Sequence, residues 1–250
     1  MCISSRMSSL ARFSLSVLVL AGLAALAPPV RAEEFECLVE PYLKVSVSSA
    51  IPGILDAVQV DRGDRVTRGQ VVALLQSDVE RAHLDLLRAR VAFAERKIAR
   101  NEELYLKQMI SIHEKDELET EMQLLKLEVR EAEGQLARRS ILSPIDGVVV
   151  KRHFSAGEFV YEDAILELAQ IHPLRVEVAV PDRLYGAIKV GMNAAVQWEV
   201  PNVGTHTASV TVVDAVMDAA SGTIGIRLEL PNPRHRLPAG TQCRVTFPTD

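Results

Sequence analysis

The feature that most constrains this chain is a repeat cut in two. Residues 53–75 (GILDAVQVDRGDRVTRGQVVALL) and 147–169 (GVVVKRHFSAGEFVYEDAILELA) superpose at an offset of 94. Gly53 meets Gly147, Gly63 meets Gly157, Asp64 meets Glu158, Val66 meets Val160 and Leu74 meets Leu168. Each copy shows short alternating apolar runs punctuated by glycine, the pattern of strands and tight turns. Neither copy can bury a core alone, so the two are expected to close on each other as halves of a small β-sandwich.

The segment that separates them is of another kind. From Asp78 to Arg139 there is no proline, and Gly134 is the only glycine. In the first arm Val79, Ala82, Leu86, Ala89 and Phe93 keep a 3-4-3-4 spacing, with Leu84, Leu87, Val91, Ala94 and Ile98 as a second stripe beside them. In the second arm Leu118, Met122, Leu125, Val129, Ala132 and Leu136 continue the heptad. Such seams predict an antiparallel coiled coil, with Met109–Ile112 as its turn. Each arm of about 27–30 residues is roughly 40–45 Å long.

From Ile171 the period changes to two. Leu174/Val176/Val178/Val180, Val196/Trp198/Val200, Val210/Val212, Ile224/Ile226/Leu228/Leu230 and Cys243/Val245/Phe247 are five half-buried strands. Proline, glycine or asparagine fills the gaps, which predicts an antiparallel barrel. Residues 182–189 (DRLYGAIK) read as a short helix between the first two strands. The fold class is therefore mixed α and β, elongated and multidomain. The expected limits are a strand over 33–44 that joins the barrel, half-sandwiches over 45–77 and 140–170, a hairpin over 78–139 and a barrel over 171–250.

Before all this stands an address. Arg6 and Arg12 precede the apolar run Phe13–Leu26, and Val30 and Ala32 are small residues at a cleavage position. That is a secretory signal spanning 1–32, cut before Glu33; about 20 apolar residues would be needed for a membrane span. Losing its three arginines takes the net charge from −5 to −8. An acidic body with 4% aromatic residues makes nucleic acid an unsuitable partner. Export also changes the meaning of the cysteines. Cys37 and Cys243, at opposite ends of the exported chain, are either two buried thiols or one long-range disulfide.

Three parts in this order resemble the periplasmic adaptor subunits, the HlyD-like membrane fusion proteins, of tripartite efflux pumps. The resemblance is carried by PGILDAVQVDRGDRVTRGQVVALLQSD and SPIDGVVVKRHFSAGEFV for the two lipoyl-like halves. IHPLRVEVAVPDR, KVGMNAAVQW and DAASGTIGIRLELPNPRHRLPAGTQCRV carry it for the barrel. It looks most like the adaptors that serve resistance-nodulation-division transporters. Longer members continue beyond the barrel into a membrane-proximal domain, whereas this sequence ends at Asp250, three residues after Phe247.

The resemblance implies a periplasmic, envelope-associated adaptor that joins an inner-membrane transporter to an outer-membrane channel and assembles as a homo-oligomeric ring. It implies that Cys37 and Cys243 lie near each other at the barrel, with Cα atoms within about 7 Å. It also assigns the channel contact. Many such adaptors carry an arginine, a leucine four residues on and a serine seven beyond at the hairpin turn; Arg100, Leu104 and Ser111 reproduce that spacing. Arg100 and Leu104 share a helix face, and Ser111 is placed to cap the second helix. An adaptor for an ABC-type exporter, or an exported self-assembling protein with no transporter, are the alternatives.

Sharper chemistry finds little support. Lys107 and Lys115 sit in coiled coil, not at the tight hairpin where a lipoyl carrier holds its modified lysine. The six histidines are dispersed, so no metal site is expected. Glu102–Glu103 and Glu119/Glu121 lie on a solvated helix surface, and Asp214 and Asp218 have no neighbouring base. No catalytic residue and no cofactor is expected.

Overall fold

The computed structural model describes residues 33–248. The expected signal sequence over 1–32, and its cleavage before Glu33, lie outside them. In chain order the elements are β1 (Glu34–Ser48), β2 (Gly53–Val58), β3 (Arg65–Val66), β4 (Val71–Leu75), α1 (Asp78–Leu106), α2 (Ile112–Ala137), β5 (Ser140–Leu142), β6 (Gly147–Arg152), β7 (Phe159–Val160), β8 (Ala164–Pro181), β9 (Asn193–Trp198), β10 (Thr205–Val213), β11 (Thr223–Leu230) and β12 (Thr241–Thr246).

Six strands in the order β1-β12-β9-β10-β11-β8 close into a barrel through an additional β1–β8 pairing. Closure removes the exposed edges of the sheet. The alternation is strict in β9 and β11, where every second side chain is buried. Leu174, Val176, Ile224, Ile226, Leu228, Leu230 and Val245 fill the interior. Each contributes roughly 1.5–3 kcal/mol by leaving water. Val200 and Val212, expected inside, are exposed. Val200 follows the end of β9, and the β10–β11 register slips between Val210 and Val212. The helix expected over 182–189 shrinks to a 3-10 turn at Asp182–Leu184. Gly186 adopts φ 81°, which ends any helix there.

The repeat is a pseudo-symmetric pair. Gly53 pairs with Val160 and Gly147 with Val66, which are the same bridge 94 residues apart. Leu55 N–H donates to Glu158 O and Gly157 N–H to Leu55 O; in the other half Val149 N–H donates to Asp64 O and Gly63 N–H to Val149 O. Gly63 and Gly157 take φ 93° and 90°, the left-handed region in which glycine carries no steric cost. Leu55, Val66, Val72, Leu75, Val149, Val160, Leu166 and Leu168 form the shared core.

Neither β1 nor β8 stops between sandwich and barrel. They stay paired from Cys37↔Val178 in the barrel to Ser48↔Ala164 in the sandwich, with an irregularity between Pro41 and Leu43. A loop at the sandwich-facing end of the barrel is pinned by buried Asn232. Its side-chain amide donates to Ile171 O and Leu237 O, and its oxygen accepts from the N–H groups of Arg236 and Leu237. This satisfies the full hydrogen-bonding capacity of the amide N–H groups and both lone pairs of its oxygen.

Candidate functional site

The hairpin springs from the sandwich between β4 and β5. Its base is clamped by Arg139, whose Nη2 donates to Glu80 Oε1 and whose Nη1 donates to Pro52 O at 3.4 Å. Burial pushes the Glu80 carboxyl up, but its backbone hydrogen bond and the Arg139 guanidinium outweigh that and hold it below the usual range. Above the base Leu84 and Leu87 meet Ala132, Val129 and Leu136. The stripe through Val79, Leu86 and Phe93 has the same spacing yet stays exposed. The sequence offers two seams on α1, and α2 docks on the Leu84 side.

Ion pairs flank the inner seam as rungs: Arg88–Glu133 at 2.9 Å, Lys126–Glu95 at 3.6 Å, Lys97–Glu121 at 3.2 Å and Lys115–Glu102 at 3.5 Å. With Lys115 half-buried and the others largely in solvent, each contributes only about 0–1 kcal/mol, so they set register more than stability. Lys115 Nζ also stands 4.8 Å over the Tyr105 ring.

At the tip α1 ends in a tight reversal. Met109 N–H donates to Leu104 O at 2.9 Å, and Gln108 takes φ 57°. Ser111 then opens α2 with a reciprocal capping box. Its Oγ accepts from Glu114 N–H at 3.2 Å, and its own N–H donates to Glu114 Oε2 at 2.8 Å. The Ser111 backbone N–H, then its hydroxyl, hold the Glu114 carboxyl below its ordinary value. Ser111 is therefore committed to the helix start. Arg100 is exposed and Leu104 half-buried, about 9 Å and 3 Å below the end of α1 at the helical rise.

Sequence reasoning missed the most conspicuous feature of this tip. Leu106, Met109 and Ile112 are 74%, 68% and 57% exposed, three large apolar side chains at the far end of the hairpin. Met109 and Ile112 fall in the expected turn and Leu106 just before it, so the turn was legible but not the exposure of its apolar side chains. Three large apolar groups thus stand in solvent on a turn closed by a helix cap.

Elsewhere Cys37 and Cys243 face each other across β1 and β12. Their Cα atoms are 4.9 Å apart and their sulfurs are joined. His172 and His235 are also brought together, ring centroids 6.2 Å apart, although 63 positions separate them. Burial, with Arg65 and His172 as neighbours, lowers the His235 pKa. Among the described residues no three His, Cys, Asp or Glu side chains group as a metal site, and no helix is long and apolar enough to cross a membrane.

Comparison with known proteins supplies the context. Residues 44–170 match the model of the CzcB-like barrel-sandwich hybrid domain, and residues 173–250 match the CusB-like β-barrel domain. Multidrug resistance protein MdtA of Erwinia amylovora is 26% identical over 247 residues, covering 84% of this chain and 60% of that protein. Cobalt-zinc-cadmium resistance protein CzcB of Cupriavidus metallidurans is 22% identical over 200 residues, covering 74% of this chain and 38% of that one. The chain thus spans less than two-thirds of the length of these relatives. A crystal structure of a MacA–MexA chimera, containing the Pseudomonas aeruginosa MexA α-hairpin domain, shares the fold. It aligns with a TM-score of 0.71 at 20% identity, over 86% of this chain and 80% of that one.

Proposed function

The chain belongs to the membrane fusion adaptors with a CzcB-like barrel-sandwich hybrid domain, and from that premise we propose that it links an inner-membrane efflux transporter to an outer-membrane channel in the periplasm. Adaptors of this family are not enzymes. A transporter of the resistance-nodulation-division type is in keeping with the CusB-like barrel.

The observation that carries this reading is the apolar tip. Leu106, Met109 and Ile112 stand in solvent at the end of a hairpin about 43 Å long, where α1 has 29 residues. Exposing them is unfavourable in the free chain and becomes favourable when a groove between channel helices removes them from water. Below them Arg100 donates to a carboxylate or main-chain oxygen of the channel, and Leu104 packs beside it. Ser111 acts indirectly, holding the turn in shape. One tip contributes little, so several copies in a ring raise the avidity without any new kind of contact.

Affinity purification of the tagged chain from envelope membranes tests the link: a transporter and a channel should co-purify. Arg100→Asp and Met109→Asp should each abolish recovery of the channel and efflux-dependent resistance while transporter recovery and melting temperature stay unchanged. Recovery of neither membrane protein would favour an exported self-assembling protein instead.

A further inference from the structure

The end of the barrel that faces away from the sandwich holds an open cavity of about 370 Å³. That is at the lower end of the roughly 300–1,000 Å³ of ligand sites. Ile188 and Phe247 form its buried floor, and Phe35, Leu184 and Met192 are half-buried walls packed on the barrel core. These walls are held from outside the cavity. The Cys37–Cys243 bond joins β1 to β12 just below Phe35 and Phe247, whose rings stand 6.1 Å apart and tilted by 52°. The lip over residues 184–192 is a chain of turns. Ala187 N–H donates to Leu184 O at 3.1 Å, Met192 N–H to Lys189 O at 3.1 Å and Gly191 N–H to Val210 O at 2.9 Å. Lys189 N–H donates to Met192 Sδ at 3.1 Å, which fixes that side chain as well. A cavity kept open by backbone and a covalent bond presents apolar surface to water and is pre-organised for an occupant.

Its mouth selects the charge of that occupant. Two charged residues line the cavity, Glu33 and Lys189. Both carboxylate oxygens of Glu33 accept from the guanidinium of Arg183, so Glu33 is already neutralised. The other ion pairs of this end join Arg244 to Glu34 and to Glu199. Lys189 is exposed and forms no ion pair among the described residues. An apolar interior below one free cation fits a tail with an anionic head, whereas a cationic head would meet Lys189 and find Glu33 occupied.

We propose that this cavity binds a single-chain anionic amphiphile, with the tail against Phe35, Ile188 and Phe247 and a carboxylate or phosphate head at Lys189. At about 30 Å³ for each water-sized group the cavity takes roughly twelve non-hydrogen atoms, the size of decanoate. A phospholipid with two chains is too large for it. The site belongs to the barrel alone and stands whatever partner the hairpin meets.

The test uses the chain labelled with ¹³C at its methionine methyls, purified from the periplasm with its disulfide intact, and sodium decanoate below its micelle concentration. The Met192 resonance, assigned through Met192→Leu, should move saturably, with a Kd on the order of 1 mM or tighter. Met109 and Met122 in the hairpin should stay in place. Lys189→Glu should weaken binding about three- to tenfold, the effect of replacing an exposed attraction by a repulsion. Ala187→Phe, on the exposed lip, should abolish the response and leave the melting temperature unchanged. Decanol or decyltrimethylammonium moving Met192 as far as decanoate does would overturn the choice of an anion. Met109 shifting in parallel would show adsorption to exposed apolar groups and overturn the site, as would a full response in Ala187→Phe. A Met192 response to phosphatidylglycerol vesicles but not to decanoate would overturn it in favour of a membrane surface.

Discussion

Gly53 and Gly147 occupy corresponding places in the two halves of the sandwich, yet alanine should behave differently at each. A Cβ at Gly147 would stand 2.4 Å from the carbonyl oxygen of Ala169 and 2.9 Å from its carbonyl carbon. Those are backbone atoms of β8, paired there with Lys44 of β1 on one side and Val148 of β6 on the other. They cannot retreat without breaking a ladder. At Gly53 the nearest atoms are Arg139 Nη1 at 2.9 Å and Leu75 Cδ1 at 3.3 Å, both side-chain ends that need give only a few tenths of an ångström and not backbone. Forcing a methyl against fixed backbone costs typically 1–3 kcal/mol, so Gly147→Ala is expected at about 3 kcal/mol and Gly53→Ala below about 1. Gly63 and Gly157 provide the control. Both have open space around the missing Cβ and φ near 90°. Alanine there meets only conformational strain of about 1–2 kcal/mol, equal at the two sites within a few tenths. Urea unfolding followed by far-ultraviolet circular dichroism measures all four, with emission of Trp198 as a separate reporter of the barrel. Equal losses at positions 53 and 147 would refute the clash with β8. Unequal losses at 63 and 157 would refute the equivalence of the two turns.

Other expectations are as direct. Purified from an oxidising compartment, the chain should show no free thiol at Cys37 or Cys243 by non-reducing mass spectrometry. Replacing both by alanine should lower stability by up to about 5 kcal/mol, the chain-entropy figure for a loop of 206 residues. Asn232→Ala should cost roughly 2–3 kcal/mol, because it leaves the N–H groups of Arg236 and Leu237 and two carbonyls without their partner. Ser111→Ala should cost about 1 kcal/mol through loss of the cap, and hydrogen exchange should quicken in the first turn of α2 alone. His235 has its pKa lowered in the folded chain, so its contribution is complete above the ordinary imidazole value of 6.5 and is lost as pH falls below it. His235→Asn should flatten the pH dependence of the melting temperature on that acid side.

How far these features could be read from the sequence depended on whether they were local. The repeat was legible because turn glycines and alternating valines are short-range requirements, and its offset of 94 recurs in the backbone hydrogen bonds. The helices were legible from their heptads. Which of two equally spaced stripes on α1 would pack was not, since the side on which α2 docks decides it. The turn at Met109–Ile112 was legible as the break in the heptads, but that Leu106, Met109 and Ile112 all stay in solvent depends on how the two helices meet there. The limit near residue 170 came from a change in the hydrophobic period, whereas β1 and β8 run through residues 44 and 170 because they stay paired across both points. The Asn232 loop and the His172–His235 pair depend on residues about 60 positions apart, and no local pattern announces them.

That unbroken pairing of β1 with β8 has a mechanical consequence. Sandwich and barrel are joined by a two-stranded ribbon, soft in bending and stiff along its length, with its irregularity near Tyr42 as the natural place to flex. The hairpin is a lever on one side of that pivot. With an arm of about 43 Å, a rotation of roughly 10° at the ribbon swings Met109 through some 7–8 Å, more than one helical turn. A change too small to disturb either core would thus be amplified into a large displacement of the tip. Arg175 stacks on the Tyr42 ring beside that irregularity, 4.8 Å from its centroid.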